Sequence, residues 1–285
     1  MHKKKLKIYT KFVKLKKNEF TKNLKYMKKY KNFILDIGAF DGSDGLMLAL
    51  KNKDHFIYAF EANLFQYKVI KINKLILESR IGRKIFNYKV LNLAVSNKNS
   101  NDKLFYVSNN PMVSSLNKFN RNAGKTWKGY DKMFKIKKSL KVKTITLAKF
   151  CATNNINIIN YLHCDTQGND LKVFQGLGKY KKILERGVME CSINKYRSLY
   201  QGNHTLSQVR KTLSKNSFKI FKIETVDGTM GNEFNVFYKN KFSLNNKYKI
   251  NLKYNTRYLR RIFSGKTYLK DDIRDFFLRL YNKFI

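Results

Sequence analysis

The segment Phe33-Ile34-Leu35-Asp36-Ile37-Gly38-Ala39-Phe40-Asp41-Gly42-Ser43-Asp44-Gly45 constrains the fold more than any other part of the chain. An apolar run broken only by Asp36 enters a glycine-bearing turn, and a second apolar stretch, Leu46 to Leu50, opens after it. That pattern is strand, tight turn, helix, the first half of a βαβ unit. A further apolar run, Ile57-Tyr58-Ala59-Phe60, closes on Glu61. In open α/β sheets, ligands bind beyond the carboxyl ends of such strands. Two strands that end near carboxylates suit a nucleoside, whose ribose hydroxyls need acceptors.

The loop narrows the choice of nucleoside. A pyrophosphate-binding turn reads G-x-G-x-x-G, and its helix N-terminus must welcome negative charge. Here Phe40 and Ser43 stand where the second and third glycines belong, and Asp41 and Asp44 occupy the first turn. These acids would repel a pyrophosphate, whereas a phosphate-free cofactor with a positive centre fits. S-adenosyl-L-methionine, a sulfonium carrying an adenosine, has that character. The plainer alternative is that Asp41 and Asp44 only favour the helix start, where acids are stabilising in any case.

Composition bounds the remaining classes. The 285 residues suffice for one large domain with extensions, and 43% hydrophobic content is that of a globular protein. A net charge of +41 suggests polyanion binding, but lysine far outnumbers arginine, whose planar fork is the better phosphate reader. Lys, Asn, Ile, Tyr and Phe share A/T-rich codons, so the charge is a poor sign of specific nucleic-acid recognition. It would still draw the chain toward acidic surfaces. The three cysteines, Cys151, Cys164 and Cys191, have neither the number nor the spacing of a disulfide framework or a zinc site, so no metal is expected. Cys164 and Cys191 read as small buried strand residues. A reducing cytoplasm is the expected compartment, with no signal peptide and no apolar run long enough to span a membrane.

Three regions follow along the chain. Residues 1–31 carry thirteen lysines against one acid, Glu19, and Phe20, Leu24 and Met27 fall on one helical face. They predict a basic helical extension, either packed on the domain or in peripheral contact with an acidic membrane surface or another polyanion. Residues 32–240 form the main domain, with strands at Phe33–Ile37, Phe56–Phe60, Tyr88–Val95, Ile158–Cys164, Gly187–Cys191, Phe218–Glu224 and Glu233–Tyr238. The last two are close enough in sequence for an antiparallel pair. Residues 96–141, rich in Asn, Ser and Lys and holding Pro111, read as an insertion and acceptor lid, with Val113 to Leu116 as its ordered part. Residues 241–285 form a second extension ending in an amphipathic helix, with Ile273, Phe276, Phe277, Leu280 and Phe284 on its apolar face.

Two more strands end in acids. Tyr161-Leu162-His163-Cys164-Asp165 leads into the polar turn Thr166-Gln167-Gly168-Asn169 and a helix, and Val188-Met189-Glu190 ends the next strand. In a doubly wound sheet this fourth strand lies beside the first, which sends Asp165 into the crevice of Asp36. Acids are depleted in strands, and a buried unpaired one is costly, so four such ends point to a site. Helix capping or pairing with lysine is the alternative for Asp165 and Glu190. Asp165 is the first candidate general base, Glu190 the second and His204, in a loop after the fifth strand, the third. His163 reads as a buried structural histidine.

Together these residues resemble the FkbM family of S-adenosylmethionine-dependent methyltransferases over roughly 33–240. The resemblance is carried by Leu35-Asp36-Ile37-Gly38-Ala39 with Gly42, Ala59-Phe60-Glu61-Ala62-Asn63, Asn73, and Asn92-Leu93-Ala94-Val95-Ser96. It continues through Val142 to Leu147, Asp165-Thr166-Gln167-Gly168-Asn169-Asp170 with Gly176, and Met189-Glu190. There are departures: Ala62 replaces a frequent proline, Phe40-Asp41 an Asn-Ile-like pair, and Gln167 a common glutamate. The resemblance implies a Rossmann-like, seven-stranded, mostly parallel α/β sheet of the class I methyltransferase type. It implies O-methylation of a hydroxyl on a sugar, glycan, glycolipid or secondary metabolite, so the expected partner is a small-molecule or glycan acceptor. It places Asp36, Gly38, Ala39 and Gly42 on the methionine side of the cofactor and Glu61 on the ribose diol with Ala62 beside it. Asn92 and Ala94 would flank the adenine, and Asp165 would face the methyl and the acceptor.

Two rival readings stand beside this one. Ribose methylation of nucleic acid is compatible with the charge and the abundant aromatics. A catalytically inactive Rossmann-type module for binding or tethering would not need to keep Asp36, Glu61 and Asp165 together. Oligomeric state is not legible in the sequence.

Overall fold

The computed structural model describes residues 30–125, 127, 130, 134–242, 250–252, 256, 259–260 and 263. The chain divides into two compact units, residues 1–252 and residues 253–285. In the second, the amide of Arg260 donates to the carbonyl of Thr256 at 2.9 Å, closing a helical turn that holds the buried Leu259; Phe263 is also buried. The basic N-terminal extension and the amphipathic C-terminal helix expected from the sequence lie outside the described residues.

The first unit is built on a seven-stranded sheet. Strand β1 (Asn32–Ile37) is buried at every position, which is why its sequence is a nearly unbroken apolar run rather than an alternating one. Helix α1 (Ser43–Lys51), strand β2 (His55–Phe60), helix α2 (Leu64–Ile81) and strand β3 (Tyr88–Leu91) complete two βαβ units. Asn63 caps α2 by accepting the amide of Phe65, and Gly82 ends it in the left-handed conformation at φ 67°.

The chain then leaves the main sheet. Strands β4 (Ala94–Val95), β5 (Ser100–Ser108) and β6 (Ile136–Ile145) make a separate three-stranded sheet in the order β4-β6-β5. Helix α3 (Leu147–Thr153), strand β7 (Tyr161–Cys164), helix α4 (Asp170–Gln175), strand β8 (Arg186–Ser192) and helix α5 (Leu206–Lys215) return it to the main sheet. The antiparallel pair β9 (Phe218–Thr225) and β10 (Glu233–Asn240) closes that sheet. The order is β3-β2-β1-β7-β8-β10-β9, with β1, β2, β3, β7 and β8 parallel. The chain order reverses between β1 and β7, the switch point beyond which open α/β sheets bind ligands.

Three expectations change. The run Tyr88–Val95 is two strands. Asn92 turns the chain by donating its amide to the carbonyls of Glu61 at 2.9 Å and Ala62 at 3.1 Å, after which Ala94 pairs with Thr144. The fourth strand starts at Tyr161 rather than Ile158 because the Asn160 side chain takes over from the ladder, accepting the amide of Phe33 and donating to Glu185. The segment 96–141 carries strand β5 and the start of β6, an antiparallel pair joined by the long connection 109–135, and the pair packs on the domain through Phe105, Val107 and Val142 against Ala94.

The main core lies between the sheet and its helices, where Phe150 of α3 meets Tyr58 and Phe60 edge-on at centroid distances of 5.0 and 4.8 Å. All three cysteines are buried and free. Among the described residues no helix is long and apolar enough to cross a membrane, and no group of three or more His, Cys, Asp or Glu is placed to hold a metal ion.

Candidate active site

A cleft of about 560 Å³, open to solvent, lies beyond the carboxyl ends of β1, β2 and β7. Gly38, Phe40, Glu61, Ala62 and Gln66 form one side, Leu93 to Val95 the floor, and Asp165, Thr166, Gln167 and Asn169 the other side. The segment after β5 supplies the outer wall through Pro111, Met112, Ser114 and Leu116. That segment is stitched to the turn after β7. Ser115 Oγ donates to the carbonyl of Gln167 at 2.6 Å, and Asn117 Nδ2 to that of Gly168 at 2.8 Å.

Gly38 makes the convergence of strands possible. Its φ is 86°, and a Cβ there would stand 1.8 Å from the carbonyl oxygen of Asp165. The amides of Gly38 and Ala39 both donate to the carbonyl of Phe60 at 3.0 Å, which ties the end of β1 to that of β2. Glu61 then joins the two loops. Its Oε2 accepts the amide of Phe40 at 2.9 Å and its Oε1 the amide of Asn63 at 2.7 Å. Burial raises its pKa to about 7 against the pull of these donors. Each oxygen has a further lone pair with which a diol could be held.

Asp165 projects from the end of β7, exposed and on the cavity wall. Its Oδ1 accepts Gln167 Nε2 at 2.6 Å, and Gln167 Oε1 accepts the Tyr200 hydroxyl at 2.6 Å. Protein crowding on the side away from solvent raises the Asp165 pKa, and the charge of His163 pulls the other way.

The other expected site residues lie elsewhere. Asp36 does not line the cleft. Its Oδ1 bonds His163 Nδ1 at 2.8 Å, and its Oδ2 is turned toward Gly45 of α1, 2.5 Å from where a Cβ would sit, and has no hydrogen-bond partner among the described residues. Burial lowers the pKa of His163, but the hydrogen bond to Asp36 and the charges of Asp36, Asp44 and Asp165 outweigh it and hold it at about 9. Burial raises Asp36 above its ordinary value, with His163 opposing. Ala39 is buried beside the cleft. Gly42, at φ 81°, packs against Ile70 and Tyr88, so its role is helix entry. Asn92 uses its amide on the backbone of 61–62 and reaches the cleft only through its neighbours, of which Ala94 does line it. Asp41 acts locally, accepting the amide and hydroxyl of Ser43, while Asn73 donates to its carbonyl.

Glu190 and His204 are also off the wall. Glu190 sits on β8 with its pKa well above the ordinary value, through burial first and then the charges of Glu233, Asp165 and Asp170. His204 has a buried Nδ1 without a partner among the described residues, and burial and then Lys172 lower its pKa. Its carbonyl accepts the amide of Ser192.

Gln66 and the wall from Pro111 to Leu116 carry no recognisable motif, apart from Ser114 and Leu116, which fall in the stretch expected to be ordered. Among the described residues no lysine, arginine or histidine lines the cleft, although the chain holds 60 lysines and arginines. A phosphate-bearing ligand would meet Glu61 and Asp165 and no cation.

Residues 36–220, more than half of the chain, match the family model described as Methyltransferase FkbM domain. A comparison with curated proteins finds no match. Among solved structures, a methyltransferase FkbM from Methylobacillus flagellatus KT superposes with a TM-score of 0.44 at 9% identity, over 74% of this chain and 44% of that one. This chain thus spans less than half of that protein's length. A SAM-dependent methyltransferase from Aquifex aeolicus gives 0.37 at 12% identity over 76% of this chain and 87% of that one. The magnesium protoporphyrin IX methyltransferase of Synechocystis PCC 6803 gives 0.41 at 10% over 73% of each. At TM-scores this low the three likenesses say nothing about substrate or mechanism.

Proposed function

We propose that this chain, which belongs to the FkbM methyltransferase family, binds S-adenosyl-L-methionine in the cleft and transfers its methyl group to a hydroxyl oxygen of a sugar, glycan, glycolipid or secondary metabolite. One observation carries the cofactor assignment. In a strongly basic protein the cleft at the switch point is walled, among the described residues, by two carboxylates, Glu61 and Asp165, and by no basic side chain. A phosphate-free, positively charged nucleoside derivative fits that wall, and a dinucleotide does not.

Glu61 would accept the ribose hydroxyls, held in place by the amides of Phe40 and Asn63. Gly38 would allow close approach of the backbone, and Ala62 and Leu93 to Val95 would supply the apolar surface for the base. When bound, the cofactor supplies an electrophilic methyl on a sulfonium. The chain's own work is to place and activate the acceptor. Asp165, exposed on the cleft and oriented by Gln167, takes the proton from the acceptor hydroxyl, a role worth roughly 10²–10⁴-fold. Holding the oxygen in line is worth more. The strong positive charge supports peripheral contact with an acidic membrane surface as the setting for a glycolipid acceptor.

The test is transfer of an isotopically labelled methyl group to glycan, lipid-linked glycan and RNA acceptors, with mass spectrometry to locate the new bond. Transfer to glycan oxygen, reduced at least about a hundredfold by Asp165→Asn with cofactor binding intact, is the expected result. Transfer to nitrogen, carbon or RNA ribose instead would overturn the acceptor assignment.

A further inference from the structure

Beyond Asp165, on the side away from Glu61, the sheet carries a second set of acids that cofactor binding does not use. Glu190 on β8 stands opposite Asn235 of β10, and Glu233 lies two residues from Asn235, so all three side chains share one face of the antiparallel pair. Glu190 is 9% exposed and Glu233 4%. Neither carboxylate makes a hydrogen bond or an ion pair among the described residues; the amide of Glu190 donates to Asp170 Oδ1 at 3.4 Å. Asp170, by contrast, is satisfied by the amide and hydroxyl of Thr166. Two buried carboxylates without partners are a costly arrangement, and more so side by side. Burial first raises the pKa of both; the charge of Glu233 adds to the rise at Glu190, and the charges of Asp165 and Asp170 raise both further.

Glu190 stands next to Asp165 on the neighbouring strand, because Met189 pairs with Cys164 in parallel register. Asp165 and Gln167 line it, Gln167 accepts the Tyr200 hydroxyl, and the charges felt most strongly by that buried hydroxyl are those of Glu233 and Glu190. In a chain with 60 basic and 19 acidic residues, no described lysine or arginine fills the gap. Metal occupancy is not favoured either, since no group of three or more potential ligands is placed for it among the described residues.

We propose that Glu190 and Glu233 form a subsite for a protonated amine, and hence that the methyl acceptor is an amino sugar or amino alcohol whose ammonium seats between them while its hydroxyl reaches Asp165. The inference rests on the methyltransferase reading above and adds the charge class of the acceptor. The ammonium supplies the missing counter-charge and up to three donors to carboxylates that lack any. A neutral acceptor would leave both carboxylates desolvated and unpaired, so the site selects against it.

The test uses the full chain saturated with S-adenosylhomocysteine. Glucosamine, galactosamine and kanamycin are titrated calorimetrically beside their N-acetylated forms, against wild type and the double variant Glu190→Gln/Glu233→Gln. At least one free amine should bind, its N-acetylated form at least about tenfold more weakly, and the double variant should lose about tenfold or more of the amine affinity. The double variant should unfold at the same or a higher urea midpoint, since it removes two buried carboxyls that have no partner among the described residues. Equal binding of amine and acetylated forms, amine binding unchanged in the double variant, or no binding of any of the three amines overturns the proposal. Binding of S-adenosylhomocysteine is read in the same titrations and stands apart: its loss would instead strike at the methyltransferase reading itself.

Discussion

Replacing His163 by glutamine should remove a pH dependence of stability that the wild type carries between about pH 6.5 and 9. His163 is held at about 9 rather than 6.5, where burial lowers its pKa and the partnership with Asp36 more than restores it. At 1.36 kcal/mol per unit, that shift corresponds to about 3 kcal/mol. The imidazole is 21% exposed, so solvent screening trims the figure to about 2–3 kcal/mol. Below pH 6.5 the folded and unfolded chains both hold the proton, and the stabilisation is whole. As pH rises toward 9 the unfolded chain releases a proton that the folded chain keeps, so stability falls; above about 9 the contribution is gone. Glutamine can still donate a hydrogen bond to Asp36 but does not titrate. Glu61, at about 7, and Glu233, at about 8, also make stability fall with rising pH, but they do so in both proteins and cancel in the difference. Urea unfolding at several pH values from about 6 to 9.5 should show the gap between the proteins closing by about 2–3 kcal/mol. Parallel curves would refute the ion pair as the cause.

Gly38→Ala should lower stability by more than about 3 kcal/mol, from left-handed strain plus the collision with the Asp165 carbonyl, and a urea midpoint near the wild type would contradict the close approach of the strands. Gln167→Glu sets a second carboxyl where an amide now donates to Asp165 at 2.6 Å. The two cannot both ionise easily, so the acid limb of the rate profile should move up by about one pH unit or more, and activity should be lost at a higher pH than in the wild type. An unmoved limb would remove Asp165 from the role of base.

Much of this architecture is legible in the chain because buried parallel strands are written as apolar runs with little else in them. Phe33–Ile37 and Phe56–Phe60 are examples, and their acidic ends and the adjacency of the first and fourth strands follow from the topology. The antiparallel pair of β5 and β6 is harder to see. One of its faces is packed and the other bears Lys137, Lys141 and Lys143, and the run of lysines reads as loop. Side-chain direction is the second obstacle. Asp36 sits in the right strand, yet its carboxylate turns to His163, a partner visible only once the register sets the two opposite each other. Asn92 bonds to backbone carbonyls thirty or so residues away, which no spacing reveals. Glu61 and Gly38 were accessible from sequence because the first terminates a strand and the second must adopt a backbone conformation that other residues resist.

The most direct test of the cofactor assignment is calorimetric titration of S-adenosylmethionine into the wild type and into Glu61→Ala. Glu61 is a buried carboxylate on the cleft wall that holds two loops through the amides of Phe40 and Asn63. Micromolar binding by the wild type, weakened about a hundredfold or more in the variant through loss of charge-assisted hydrogen bonds, is the expected result. Absence of binding to folded wild type, or equal binding by both proteins, would contradict the placement of the cofactor in this cleft.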